Sequence, residues 1–257
     1  MEFRKKRIVI ADDSHTFLMY MGILLKRMGF NVIPAENGLE VLKLLRLMEP
    51  DVVILDVIME MMDGVTLLKY IKEDKQTSHI PVIMVSIDSS SERIEKCKKL
   101  GCAGYLLKPI KISKLHEILQ ECIFSPMGRN RKHLRAAFHE KVSITYGGIP
   151  SNLYAETLSE GGIYIRKKDP FPVGSEVEVT LPLKSGEPIH LKGVVVYIKG
   201  LFGDMFKIPP GMAIEFKEMT NNKAKILKNY VEQLMAQDIF ESQEETVIEP
   251  GEKGTSS

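Results

Sequence analysis

Five short runs rich in β-branched and aliphatic residues divide the first half of the chain: RIVIAD (7–12), NVIPA (31–35), DVVILD (51–56), PVIMVS (81–86) and AGYLLK (103–108). Segments of helical length separate them. This alternation constrains the fold more than any other feature, because parallel strands need long crossovers and each crossover helix covers a sheet face. The expectation for residues 1–124 is an α/β doubly wound parallel five-stranded sheet. The first intervening segment places Phe17, Leu18, Met21, Leu24, Leu25 and Met28 on one helical face, begins near Ser14 and stops at Gly29. The second starts at Asn37 with Glu40 three residues on, a capping-box-like start, and ends before Pro50. After Ser113 a further stripe joins Leu115, Ile118, Leu119 and Cys122. These stripes read as core.

From Ser125 the texture changes. SPMGRNRKHLR combines turn formers with Arg, Lys and His and carries no apolar stripe, so residues 125–135 read as a basic linker or arm. Short alternating runs follow, among them KVSITY (141–146), GIYIRK (162–167), EVEVTLPL (176–183) and GMAIEF (211–216), punctuated by Gly and Pro. That spacing predicts a small antiparallel β-barrel over 136–237, with residues 222–236 as a helix packed on or beside it. The acidic tail, 238–257, is expected to be disordered. A length of 257 residues suits two domains.

Charge and cysteine usage exclude several classes. The formal net charge is +1, so no general attraction to nucleic acid or anionic membrane is expected, and any basic site must be local. Cys97, Cys102 and Cys122 are odd in number and lack paired spacing, which argues against a disulfide framework or a zinc site and fits a reducing cytoplasm. No run approaches the roughly 18 apolar residues a spanning helix needs, and no signal peptide is visible.

Asp12 and Asp13 fall at the carboxyl end of the first strand and Asp56 at that of the third, the edge where doubly wound sheets place ligands. Three crowded carboxylates repel one another unless a cation intervenes, and Mg²⁺, which shares its octahedron between carboxylates and phosphoryl oxygens, answers that need. Ser86 and Lys108 end the fourth and fifth strands and add a hydroxyl and an ammonium at the same edge.

The stretches IVIADDS, DVVILDVIMEMMDG, PVIMVS and GYLLKPI make residues 5–124 resemble the receiver domain of two-component response regulators, the CheY-like superfamily. The resemblance implies that Asp12 and Asp13 orient Mg²⁺ and that Asp56 accepts phosphate from a histidine kinase or phosphotransfer protein. It further implies that Ser86 and Lys108 contact the phosphoryl group, that Tyr105 is the switch aromatic and that Lys108-Pro109 is cis. Glu60 stands where many members have proline, and Ile87 where the family keeps a small residue beside the acceptor. A bulky Ile87 is expected to slow phosphotransfer and hydrolysis. The resemblance also admits a homodimer formed through the receiver.

Arg131 and Arg135 are spaced i, i+4, and a TLSEGG turn follows at 157–162. Guanidinium groups pair bidentately with phosphate and stack on purines, while a serine and a glycine turn allow close backbone approach. A solvated linker with an ordinary hairpin turn is the competing reading. Residues 127–236 resemble a PilZ domain, a six-stranded barrel that in many bacteria binds cyclic di-GMP. Arg131 and Arg135 match its RxxxR arm, and Ser159 and Gly162 match its [D/N]xSxxG turn. Thr157 stands where Asp or Asn would accept from the ligand, and the neighbouring Glu156 is expected on the opposite side of the strand.

The expectation is a cytoplasmic response regulator that joins kinase input to a cyclic di-GMP-responsive output domain and acts on a downstream protein. The alternative is a phosphorylation-controlled adaptor whose barrel has lost the ligand. Nucleic-acid binding through 129–135 lacks a recognition helix or stacking platform, and neither half shows a catalytic nucleophile with its base, so DNA binding and enzymatic turnover are not expected.

Overall fold

The computed structural model describes residues 5–123, 133–184, 186–200, 209–237 and 239. The first domain runs β1 (Arg7–Ala11), α1 (His15–Arg27), β2 (Asn31–Ala35), α2 (Gly38–Met48), β3 (Val52–Asp56), α3 (Gly64–Glu73), β4 (Val82–Ser86), α4 (Ser91–Lys99), β5 (Gly104–Leu107) and α5 (Ile112–Ile123). Its strands form one parallel sheet in the order β2-β1-β3-β4-β5. β3 and β4 are buried at every residue, which is why their sequences are unbroken apolar runs. Pro34 lies on the edge strand β2, where a missing donor is tolerated.

Alternate strand residues divide between two layers. Ile8, Ile10, Ile54 and Val85 pack with the apolar stripes of α1 and α5; Val9, Val53, Leu55 and Met84 pack with α2, α3 and Cys97 of α4. The helix starts follow local chemistry. Ser14 caps α1 by accepting from the Phe17 amide, and Asn37 caps α2 by accepting from the Glu40 amide at 3.0 Å. The Glu40 carboxylate reaches past the cap to accept from the Glu36 amide at 2.9 Å, one residue earlier than in a standard capping box. Lys108-Pro109 is cis.

The second domain comprises β6 (Arg135–Ala137), β7 (Lys141–Tyr146), β8 (Ile149–Ser159), β9 (Gly162–Arg166), β10 (Glu176–Leu181), β11 (Ile189–Lys199), β12 (Gly211–Lys217) and α6 (Asn221–Ala236). The antiparallel order β6-β8-β7-β10-β11-β12-β9 is closed by β8–β9 pairing, so six strands form the barrel and β6 adds to the outside edge of β8. Gly147 and Gly148 both take positive φ at the β7–β8 hairpin, the two-residue turn that matches strand twist. Register shifts at Glu156 on β8 and Val196 on β11 let these long strands bend around the barrel.

α6 seals the barrel with Leu227, Tyr230, Val231 and Met235, and it also meets α1 of the first domain. Burying each of Leu227, Val231 and Met235 is worth roughly 1.5–3 kcal/mol. The apolar layer under α1 and α5 is therefore continuous with the barrel core. At this junction the Arg27 guanidinium donates to the Met235 carbonyl at 2.8 Å, satisfying a helix-end acceptor.

Candidate functional site

The sheet's carboxyl edge gathers the acidic residues. Asp12 follows β1, is fully buried, and accepts from the Ser14 amide at 2.9 Å; Asp56 ends β3 and is 6% exposed; Asp13 is exposed. Carboxylate oxygens of all three lie within 4.8 Å of one another. The Lys108 ammonium, beyond β5, lies 2.7 Å from Asp12, 3.3 Å from Asp56 and 4.2 Å from the centroid of the Phe17 ring. Burial pushes the Asp56 carboxyl up to about 6; Lys108 pulls it down, and Asp12 pushes it further up. One ammonium thus pairs with two of the three clustered carboxylates, Asp12 and Asp56. An oxygen-lined pocket with that surplus negative charge fits a hard divalent cation such as Mg²⁺.

Ser86, at the end of β4, is fully buried, and its hydroxyl accepts from the Asp88 amide at 3.0 Å. The Tyr105 hydroxyl donates to the Asp88 carbonyl at 2.9 Å. Asp88 also pairs with Arg93 of α4 at 3.0 Å, so one loop residue ties Ser86 and Tyr105 to that helix. Gly64 opens α3 directly against the end of β3: a Cβ there would come within 2.0 Å of the Asp56 carbonyl. Ile58 and Ile87, on the loops after β3 and β4, are 50% and 73% exposed.

A second site lies outside the barrel. Arg135 opens β6 opposite Ser159, Ser159 faces Gly162 across the β8–β9 turn, and the Ser159 hydroxyl donates to the Gly162 carbonyl at 3.0 Å. Arg135, Thr157, Ser159 and Gly162 all border one open groove of about 930 Å³, with Tyr164 and Glu215 across it. Arg131 lies outside the described residues. Glu156 does not line the groove. It is the extra residue of the β8 bulge, and Arg166 and His139 hold its carboxylate to one side, so strict alternation does not describe its direction.

Comparison with known proteins agrees with both halves. The response regulator receiver domain model matches residues 8–120 and the PilZ domain model residues 129–233. The chain is 34% identical over 119 residues to chemotaxis protein CheY-3 of Vibrio cholerae, covering 92% of that protein and 46% of this chain. It is 30% identical over 115 residues to the polar-differentiation response regulator DivK of Brucella anthropi, covering 94% of that protein and 45% of this chain. A solved structure of Vibrio cholerae chemotaxis protein CheY4 is 28% identical, with a TM-score of 0.44, and covers 47% of this chain and 99% of that one. The chain belongs to the response regulator receiver family. A PilZ domain follows its receiver domain.

The receiver brings Asp12, Asp13, Asp56 and Lys108 into one pocket, as the strand-end pattern implies. Sequence reasoning missed Asp88 as the shared partner of Ser86 and Tyr105, because a main-chain contact leaves no residue-type signal. In the PilZ domain it missed Tyr164, Glu215 and His133. The first two carry no signal in the sequence itself, because only the pairing of β9 with β12 sets Tyr164 opposite Ala213 and Glu215 opposite Gly162. No helix among the described residues is long and apolar enough to cross a membrane.

Proposed function

We propose that this chain is a cytoplasmic two-component response regulator phosphorylated on Asp56 by a sensor histidine kinase or phosphotransfer protein. In this reading its PilZ domain binds cyclic di-GMP and signals to a downstream protein through contacts. The observation that carries the receiver half is the convergence of three carboxylates and Lys108 at one strand edge.

Asp12, Asp13 and Asp56 would hold Mg²⁺, whose bound charge offsets the repulsion among them and the incoming phosphoryl oxygens. An Asp56 Oδ attacks phosphorus, the donor's N–P bond breaks, and the imidazole leaves with the electron pair. Lys108 then exchanges its carboxylate contact for a phosphoryl oxygen, and the Ser86 hydroxyl donates to another. Phosphorylation places about −1.5 to −2 charges on the acceptor side chain. A Ser86 drawn inward releases the Asp88 amide, and through Asp88 the change reaches Tyr105 and α4.

In the PilZ domain Arg131 and Arg135 take the phosphates, and Ser159 and Gly162 shape the turn beneath them. Thr157, with a hydroxyl in place of Asp or Asn, motivates the second reading of a ligand-free interaction module. Two measurements test the proposal. Beryllofluoride with Mg²⁺ should shift the receiver's spectra in wild type and not in Asp56→Ala; the reverse refutes the acceptor. Cyclic di-GMP titration should show micromolar or tighter binding that Arg135→Ala abolishes; no binding by wild type leaves the ligand-free reading standing.

A further inference from the structure

The groove over the β8–β9 turn carries opposite charges at its two ends. Across four strands Arg135 lies opposite Ser159, Ser159 opposite Gly162, and Gly162 opposite Glu215. Directly paired residues share a sheet face. Their neighbours Ala136, Leu158, Ile163 and Ile214 are buried in the barrel core, so this row faces outward. Three strand spacings separate Arg135 from Glu215, roughly 14 Å of backbone.

Between the two ends the row is nearly bare. Gly162 has no side chain, and a Cβ there would come within 2.4 Å of the Ile214 carbonyl, so β9 and β12 approach closely at this point. One step along the same face, Tyr164 lies opposite Ala213. The Tyr164 hydroxyl is engaged with the Pro209 carbonyl at 2.7 Å, which fixes the ring as a wall beside the small floor residues. A flat, glycine-floored strip beside an aromatic side chain has the shape of a base-binding surface.

A carboxylate is a poor neighbour for phosphate, so Glu215 needs another role in a site of this kind. It is half-exposed and, among the described residues, its ion pair runs along its own strand, to Lys217 at 2.7 Å, so folding places little demand on it. Guanine presents two adjacent donors, N1–H and the N2 amino group, that one carboxylate can accept together. Adenine offers an acceptor at N1 and has no N2 amino group. Thr157, which faces the same groove, cannot supply that pair of acceptor oxygens. We propose that Glu215 is the guanine-reading carboxylate of this groove, taking the part that Thr157 cannot. The inference rests on the proposed binding of a phosphate-bearing guanine nucleotide, and it adds the residue that sets the choice of base. A site built to pair with a donor rejects the analogue lacking it, because its own acceptor is left unmatched.

The test is calorimetric titration of the full chain with cyclic di-GMP and cyclic di-AMP. Wild type should prefer cyclic di-GMP. Glu215→Gln should weaken cyclic di-GMP at least tenfold while leaving the weak cyclic di-AMP binding in place, so the preference narrows. Lys217→Met should leave the preference intact, which separates base reading from loss of the surface ion pair. If Glu215→Gln keeps wild-type affinity and preference while Arg135→Ala abolishes binding, the inference falls and the proposed function stands. If wild type binds neither nucleotide, both fall.

Discussion

His133 and Glu160 meet at the rim of the groove over the β8–β9 turn, with Nδ1 and Oε2 3.5 Å apart. The His133 ring lies so close to the turn that a Cβ on Gly161 would come within 2.7 Å of it. His133 and Glu160 also border the cleft between the two domains, where His116 and Gln120 of α5 form the other wall. Burial, with His133 nearby, holds the His116 imidazole below its ordinary value. His133 therefore stands against the β8–β9 turn and borders the cleft whose other wall is the receiver's last helix. Beryllofluoride with Mg²⁺ should change cyclic di-GMP affinity by about fivefold or more, and cyclic di-GMP should change beryllofluoride affinity by the same factor. His133→Ala should reduce both effects together. Equal nucleotide affinities with and without beryllofluoride would show the two sites to be independent.

The Asp56 carboxyl supplies a pH signature. Its value in the folded chain is raised to about 6 from an ordinary 3.8, chiefly by burial, so the folded state holds this proton more tightly than the unfolded one. Folding stability in EDTA should then be greatest below pH 4 for this group and fall as pH rises from about 4 to about 6. The loss is at most about 3 kcal/mol, at about 1.4 kcal/mol per pH unit. Asp56→Asn should abolish this component and raise the melting temperature at pH 7. Thermal unfolding of both proteins across pH 4–8 measures it; a parallel slope in the mutant would exclude Asp56 as its source.

Ile87 follows the buried Ser86 and stands 73% exposed beside the acceptor edge. We propose that a branched side chain there narrows the approach of a phosphodonor or a hydrolytic water to Asp56, and its exposure shows that it adds little to the core. Ile87→Ala should increase the rates of both Asp56 phosphorylation by a small-molecule phosphodonor and subsequent dephosphorylation several-fold, with stability nearly unchanged. Gel-shift phosphorylation time courses resolve the two rates. Unchanged rates would remove Ile87 as a gate.

The receiver was largely legible because its signals are local and repeated. Unbroken runs such as VVILD follow from burial on both faces, and the functional groups sit at strand ends that topology brings together. The barrel was legible as a class, yet its site depends on register. Nothing in the string places Glu215 opposite Gly162, since only the non-local β9–β12 pairing does so. The bulge at Glu156 was hidden for the same reason: an extra residue shows only against its partner strand. The Arg27 contact to Met235 spans 208 positions and carries no pattern at all.

Two glycines give a matched test of close packing. Gly22 lies inside α1 with nothing within 4 Å of an added Cβ, whereas a Cβ at Gly162 would strike the Ile214 carbonyl at 2.4 Å. Gly22→Ala removes backbone freedom from the unfolded chain at no steric cost and should stabilise by about 0.5–1 kcal/mol. Gly162→Ala forces β9 away from β12 and should destabilise the barrel by about 1–3 kcal/mol. Because β9 carries one side of the groove floor, Gly162→Ala should also abolish cyclic di-GMP binding while the receiver's beryllofluoride response persists. Denaturant unfolding and the two ligand titrations separate these effects. Wild-type stability in Gly162→Ala would mean that the β9–β12 seam yields where the backbone geometry says it cannot.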